Sequence, residues 1–236
     1  MAQALNKTKR RIASVRSTKK ITEAMELVAT VKLKKFKNVM EKNMFYVKEM
    51  ENIISNLFAA LDEKEDIPYL HDGKGEKDLV VVINSNLGLC ASYNSNVFNF
   101  VKSNISKENA ILLPIGIKGE INYSKEGFEI NNDYISLNEK LEYEEVVKLG
   151  RFLHHEFLNG KYRQIKIVYT KYINSLRFEP NICTIFPLKE VGKITQIGYA
   201  PIYDPNVKTL IEELVPIYLV SSLYQKLIES QVSEQA

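Results

Sequence analysis

The first 67 residues contain neither glycine nor proline, and this absence constrains the fold more than any other feature of the sequence. Gly and Pro are the residues that most strongly interrupt a helix, so the segment can form one continuous helix. About 60 helical residues would extend roughly 90 Å, which is longer than the diameter of a compact domain of this size. The sequence therefore predicts a helix over residues 1–67 that projects beyond the rest of the chain.

The second half of this helix carries an apolar seam. Its apolar residues recur in steps of three and four, the spacing of a coiled-coil contact. They are Leu33, Phe36, Met40, Met44, Val47, Met50, Ile54, Leu57 and Leu61. A narrower stripe between Lys and Arg residues occupies the first half, at Ile12, Val15, Ile21, Met25 and Val28. A long helix with one apolar side requires a partner helix.

A charged linker that contains glycine, residues 68–77, separates this helix from a segment with a different pattern. Four short apolar runs there are typical of buried strands; they cover residues 79–83, 111–115, 165–170 and 182–186. Helices are predicted from about Asn94 and over residues 142–158. Strands that alternate with helices favour an open α/β sheet, which we assign to residues 78–200.

Residues 201–236 predict a second long helix. Asp204 and Pro205 are expected to begin it, because Asp caps free N–H groups and Pro fits the first helical position. Pro216 is expected to kink or restart the helix, and no stop signal precedes Ala236. Its apolar stripe consists of Leu210, Leu214, Tyr218, Leu223, Leu227 and Ile228.

Charge divides the chain into two unlike parts. Residues 1–42 contain 12 Lys or Arg residues against three acids, a net charge of +9, so the overall +3 leaves −6 for the remainder. Composition alone leaves three interpretations of the basic helix open. It could bind nucleic-acid phosphates, present a solvated face, or sit in a negatively charged protein cavity.

No residue pattern predicts a catalytic or metal site. The loop after the first predicted strand, residues 84–96, has a single glycine, Gly88, whereas a phosphate-binding loop needs several. Cys90 has no neighbouring base in the sequence that would activate it. His154 and His155 are adjacent on a predicted helix and therefore point to different faces. A nucleotide-binding enzyme is accordingly the weakest of the possible functions.

Three segments resemble one known family. Residues 9–30 (KRRIASVRSTKKITEAMELVAT) resemble the N-terminal helix of the gamma subunit of F-type ATP synthase, with its pattern I-x-S-V-x-x-T-x-K-I-T-x-A-M-x-x-V-A. Residues 88–96 (GLCASYNSN) are similar to that family's G-L-C-G-G-x-N-x-N loop, and residues 218–236 to its closing segment. Because these matches follow in order from end to end, the sequence is identified as a member of this family.

The resemblance implies an α/β fold in which long N-terminal and C-terminal helices form an antiparallel coiled coil, with a small open, Rossmann-like domain between them. It implies a shaft inside the hexamer of alpha and beta subunits, whose foot contacts the epsilon subunit and the membrane c-ring. Such a subunit couples ion flow to ATP synthesis or hydrolysis, without catalysis or a cofactor of its own. A basic-helix nucleic-acid binder remains the alternative.

The expected location is the cytoplasmic face of a bacterial cell membrane, as a peripheral protein that contacts the membrane only through the complex. No apolar run in the sequence approaches the roughly 18 residues that span a bilayer. The N-terminus lacks the apolar stretch of a signal peptide.

The resemblance also implies contact residues. Those on the first helix are expected to face the hexamer, and they are Lys19, Lys20, Thr22, Met25, Val28 and Lys32. Met25 is expected to lie near the loop of the beta subunit that contacts the helix. On the body they contact the hexamer or epsilon: Gly88, Cys90, Tyr93 and Asn94. The loop departs from the family where Ala91 and Ser92 replace two glycines and Leu87 replaces a basic residue. The family also continues for roughly 50 residues, about 75 Å of helix, past Ala236, so a truncated second helix is expected.

Overall fold

The computed structural model describes residues 2–61, 66–138, 141–189 and 201–236. A 58-residue helix, α1 (Ala2–Ala59), comes first, as the absence of Gly and Pro predicts. The predicted end at residue 67 is wrong, because residues 66 and 67 are not helical. The elements that follow are β1 (Asp78–Ile83), α2 (Tyr93–Asn104), β2 (Ala110–Ile115), α3 (Ile117–Glu126), β3 (Glu129–Ile130), α4 (Tyr143–Leu158), β4 (Ile165–Asn174), β5 (Arg177–Phe186) and α5 (Val207–Gln235). Two short 3₁₀ helices lie at Pro68–Leu70 and Ile135–Asn138. The α/β fold class is confirmed.

The five strands form one mixed sheet in the order β3-β2-β1-β4-β5. Strands β1 to β4 are parallel to one another, whereas β5 is antiparallel to β4. The predicted alternation of strands with helices is therefore wrong between the last two strands. Asn174 pairs with Arg177, so the connection is too short to hold a helix and β4 and β5 form a hairpin.

Helices cover the sheet on both faces. In β1, Leu79, Val81 and Ile83 point into a large core that also contains α4, α5 and the second half of α1. Val80 and Val82 point into a smaller core beneath α2 and α3. Because both faces are covered, a continuous apolar run is the expected sequence for this central strand.

The long helices α1 and α5 pack side by side and run antiparallel, since Asn43 contacts Gln225 while Glu51 contacts Tyr218. Most of the predicted seam of α1 lies in this contact; its buried members are Met40, Val47, Met50, Ile54 and Leu57. The prediction is wrong for Met44, which is 57% exposed. Asn43 faces α5 instead, because it lies three residues after Met40 and four before Val47, on the same side of the helix.

The N-terminus of α5 corrects one further prediction. Asn206, and not Asp204, caps the helix: its Oδ1 accepts a hydrogen bond from Thr209 N at 2.9 Å. A side-chain acceptor for the third helical N–H is the usual reason that a helix begins where it does. Pro216 lies inside α5, which continues through it without restarting. Packing against α1 and the sheet supports the helix on both sides of this residue.

The segment before β1 lies against the sheet domain. Tyr69 is buried, and Gly73 N donates to Arg163 O at 2.8 Å. A Cβ on Gly73 would lie 2.2 Å from Tyr162 O, so only glycine fits there. The division into residues 1–67, 68–77, 78–200 and 201–236 stays a prediction. Among the described residues, no helix combines the length and apolarity needed to span a bilayer.

Candidate functional site

The N-terminal part of α1 stands clear of the rest of the described chain. Every residue from 3 to 28 is exposed, and the helix first packs against the core at Leu33 and Phe36. At the rise of an α-helix this exposed segment extends about 39 Å. Helices in proteins gain most of their stability from tertiary packing, and this segment has none within the described chain, which favours a partner.

An apolar stripe runs along this projecting segment. Its members are 47–60% exposed: Ile12, Val15, Ile21, Met25 and Val28. Apolar side chains exposed together along one element mark interaction sites. Met25 and Val28, which were predicted as contact residues, are therefore accessible to a partner.

The polar side chains of the projecting segment make few contacts outside it. Lys19 Nζ lies 3.6 Å from Glu23 Oε1 in an exposed pair, and such surface pairs contribute little to stability. Thr22 Oγ1 donates to Thr18 O, four residues earlier on the same helix. Lys20 is exposed. The segment therefore presents positive charge beside the apolar stripe.

Lys32 lies at the base of the projecting segment, beside the C-terminal turns of α5. Burial raises the pKa of Glu234 to about 7, and the positive charge of Lys32 opposes this rise. The predicted contact residues of α1 thus extend from the projecting segment to the point where α1 begins to pack against the core.

Asn94 organises the loop between β1 and α2. Its Oδ1 accepts a hydrogen bond from Ser85 N at 3.1 Å, and its Nδ2 donates to Ser85 Oγ at 2.6 Å and to Cys90 Sγ at 3.0 Å. Asn86 Oδ1 accepts from Ile117 N at 3.1 Å and so ties the loop to α3. Two of the predicted contact residues, Cys90 and Asn94, therefore hold the loop in shape.

The outer bend of this loop is apolar. Leu87 is 75% exposed and Leu89 is 91% exposed, on either side of Gly88. A Cβ on Gly88 would meet no atom within 4 Å, so packing within the chain does not require glycine there. Ala91 has a φ of 43°, a conformation that glycine adopts with less strain, and the family pattern has glycine at this position.

Tyr93 differs from the other predicted contact residues because its side chain lies inside the protein. It is 1% exposed. Burial raises its pKa, as does the nearby charge of Glu234. Tyr93 thus supports the loop from beneath, close to the end of α5.

The position where related sheets bind nucleotides is filled in this chain. In open α/β sheets, ligands bind outside the carboxyl ends of the strands at which the order reverses, here β1 and β4. Helix α5 lies there, and its Ser230 Oγ accepts a hydrogen bond from Thr170 N at 3.0 Å. In the described part of the chain no three His, Cys, Asp or Glu residues group as metal ligands.

Two features of this site were not predicted from the sequence. In the sequence, Leu87 was noted only because it replaces a basic residue of the family pattern. Two leucines that flank a glycine in a polar loop could nevertheless have indicated an exposed apolar bend. The contact of Ser230 with Thr170 has no sequence signal, because serine on a helix is as compatible with solvent as with burial.

Comparison with known proteins adds independent findings. A family model described as ATP synthase matches residues 4–236. The ATP synthase gamma chain of Mycoplasmopsis pulmonis is 36% identical over 237 residues, which covers 99% of this chain and 83% of that protein. The gamma chains of Mycoplasma capricolum and Clostridium kluyveri are each 34% identical, covering 98% and 97% of this chain and 82% and 80% of theirs.

A solved structure shares the fold. It is a chain from the central stalk and c-ring of the Tetrahymena thermophila mitochondrial ATP synthase, with a TM-score of 0.61 and 22% sequence identity. The match covers 91% of the present chain and 94% of that chain.

Proposed function

This chain belongs to the ATP synthase gamma-chain family, and we propose that it is the central rotating stalk of the F1 sector of an F-type ATP synthase. It couples ion flow through the membrane sector to ATP synthesis or hydrolysis in the hexamer of alpha and beta subunits. The observation that carries this proposal is the segment of residues 3–28, a basic helix with an exposed apolar stripe that extends about 39 Å from a folded body.

The shape and charge of the projecting segment suit this role. Positive charge steers the helix into an acidic cavity, and the apolar stripe makes the contacts that exclude water. The side chains differ from one side of the helix to another, so three catalytic sites arranged around it meet three different surfaces. Rotation of the helix then changes each site in turn.

The body serves as the foot of the stalk. The bend formed by Leu87, Gly88 and Leu89 is exposed and ordered by Asn94, which suits a contact with the hexamer or the epsilon subunit. Epsilon and the c-ring are the further partners. The chain reaches the membrane only through this complex, as a peripheral protein on the cytoplasmic face of a bacterial cell membrane.

The chain is a non-catalytic subunit, and ATP chemistry belongs to the beta subunits. The position of α5 over the carboxyl ends of β1 and β4 supports this assignment, because a nucleotide would have to displace Ser230 from Thr170. The alternative of a nucleic-acid binder finds no support in the comparisons, since the family match spans residues 4–236.

The test is to isolate the complex through a tag on this chain and to observe rotation directly. We expect alpha and beta subunits to co-purify, and a bead attached to the chain to turn in one direction when ATP is added to the immobilised hexamer. Complexes without ATP are the control. The proposal would be contradicted if the chain co-purified with nucleic acid and not with alpha and beta subunits, and if this binding weakened steeply as the salt concentration rose.

A further inference from the structure

Strand β4 continues beyond its neighbour β1. Their pairing ends at Val82 and Val168, whereas β4 extends to Asn174 with β5 along its other side. The backbone groups on the β1 side of Thr170 and Tyr172 thus face away from any strand of the described sheet. An unpaired strand edge is a site where other groups pair with the backbone.

Side chains of α5 occupy this edge. Ser230 Oγ accepts a hydrogen bond from Thr170 N at 3.0 Å. Ser233 Oγ shares its single proton between Thr170 O at 3.2 Å and Glu229 O of its own helix at 2.9 Å. Glu229 Oε1 accepts from Tyr172 N at 3.1 Å. Groups two residues apart point to the same edge of a strand, and residues 229, 230 and 233 lie on one side of a helix. We call these three hydrogen bonds the strand clamp.

Burial makes the strand clamp a firm connection. Thr170, Ser230 and Ser233 are all buried, so water cannot replace the hydrogen bonds between them. The hydrophobic effect is non-directional. Hydrogen bonds from a helix to defined backbone atoms of a strand fix both the position and the rotation of the helix.

The strand clamp lies at the base of the projecting segment. Lys37 Nζ of α1 is 5.9 Å from the centre of the Tyr172 ring, and α1 leaves the core one turn earlier in the chain, near Leu33. A force applied to the sheet domain must therefore pass the part of α1 near Leu33 and Lys37 before it reaches residues 3–28.

Resting on the proposed function, we infer that the strand clamp is the joint through which the sheet domain passes torque to the helices of the stalk. It holds α5 to β4 against rotation, and α5 holds α1 through their packed seam.

The experiment uses the complete complex with the double variant Ser230→Ala and Ser233→Ala. Ser221→Ala is the matched control, because Ser221 is also buried on α5 but its hydroxyl donates to Ile217 O of the same helix. A bead is attached to the sheet domain while the hexamer is immobilised and stalled. We expect the angular variance of the bead to rise about twofold in the double variant, which loses two of the three hydrogen bonds, and to stay unchanged in the control.

Glu229 supplies a second, milder pair of variants in case the double variant folds poorly. Glu229→Gln keeps an acceptor oxygen for Tyr172 N and should behave like the wild type, whereas Glu229→Ala should raise the angular variance. In the isolated chain, hydrogen exchange at the Thr170 amide should become about tenfold faster in the double variant than in the control.

The outcomes separate the inference from the proposed function. Unchanged variance in every variant of a rotating complex overturns the role of the strand clamp and leaves the stalk function intact. An unchanged exchange rate at Thr170 overturns the clamp itself. Absence of ATP-driven rotation in the wild-type complex overturns the proposed function, and the inferred joint falls with it.

Discussion

Asn43 of α1 donates through Nδ2 to Oε1 of Gln225 of α5 at 2.9 Å, and also to Ser221 O at 3.2 Å. Gln225 is 5% exposed, so this polar contact lies within an otherwise apolar seam. A buried polar pair of this kind specifies the register of two helices, because a shift of one helix leaves both groups without a partner.

Replacing Asn43 should therefore destabilise the protein. We expect Asn43→Ala to lower the free energy of unfolding by about 1–3 kcal/mol, because Gln225 would stay buried without its donor. Urea denaturation measures this difference. The double variant Asn43→Leu with Gln225→Leu should recover most of the loss, since apolar side chains then face each other. A single variant as stable as the wild type would contradict the burial of this pair.

Gly73 should tolerate no side chain. Its Cβ would lie 2.2 Å from Tyr162 O, a backbone atom that cannot move aside without shifting the chain. We expect Gly73→Ala to cost about 1–3 kcal/mol in the free energy of unfolding. Gly88→Ala is the matched control, because a Cβ there meets nothing within 4 Å and should change stability by less than about 0.5 kcal/mol. Equal effects of the two substitutions would show that the segment before β1 is not tied to the sheet domain.

Stability should fall in mild acid because of His154. Its Nε2 lies 2.8 Å from the Tyr69 hydroxyl, and burial, followed by the charge of His155, lowers its pKa below the ordinary 6.5. The folded state binds the proton less readily than the unfolded state. The contribution of neutral His154 is therefore complete above pH 6.5 and is lost as the pH falls from 6.5 towards the folded pKa.

The pH effect is measured as the urea midpoint between pH 7.5 and 5.0 in the wild type and in His154→Gln. The decline below pH 6.5 should be shallower in the variant, which has no proton to bind at this position. Parallel curves would assign the decline to other groups.

Met25 should affect coupling without affecting folding. Its side chain is exposed, so Met25→Lys should change the stability of the isolated chain by less than about 0.5 kcal/mol. In the complex, the added charge in an apolar contact should reduce the number of ions pumped per ATP hydrolysed. Met25→Leu is the control, because it keeps an apolar side chain at the same exposed position. Normal pumping by the Met25→Lys variant would remove Met25 from the contact.

The elements that depend on local sequence were predictable. The helix α1 follows from the absence of Gly and Pro, because each helical hydrogen bond joins residues only four apart. The strand β1 follows from a run of apolar residues that are buried on both faces. The motif of residues 9–30 is a continuous stretch of sequence, so it indicates the family without any knowledge of how the chain packs.

The tertiary structure alone decided how these elements meet. Met44 and Asn43 are neighbours, and only the rotation of α1 against α5 selects Asn43 for the seam. Ser230 and Thr170 are 60 residues apart, and no local pattern links a helical serine to the edge of a particular strand. Periodicity in a sequence records which side of an element is apolar, whereas register and edge contacts depend on distant atoms that come together only when the whole core packs.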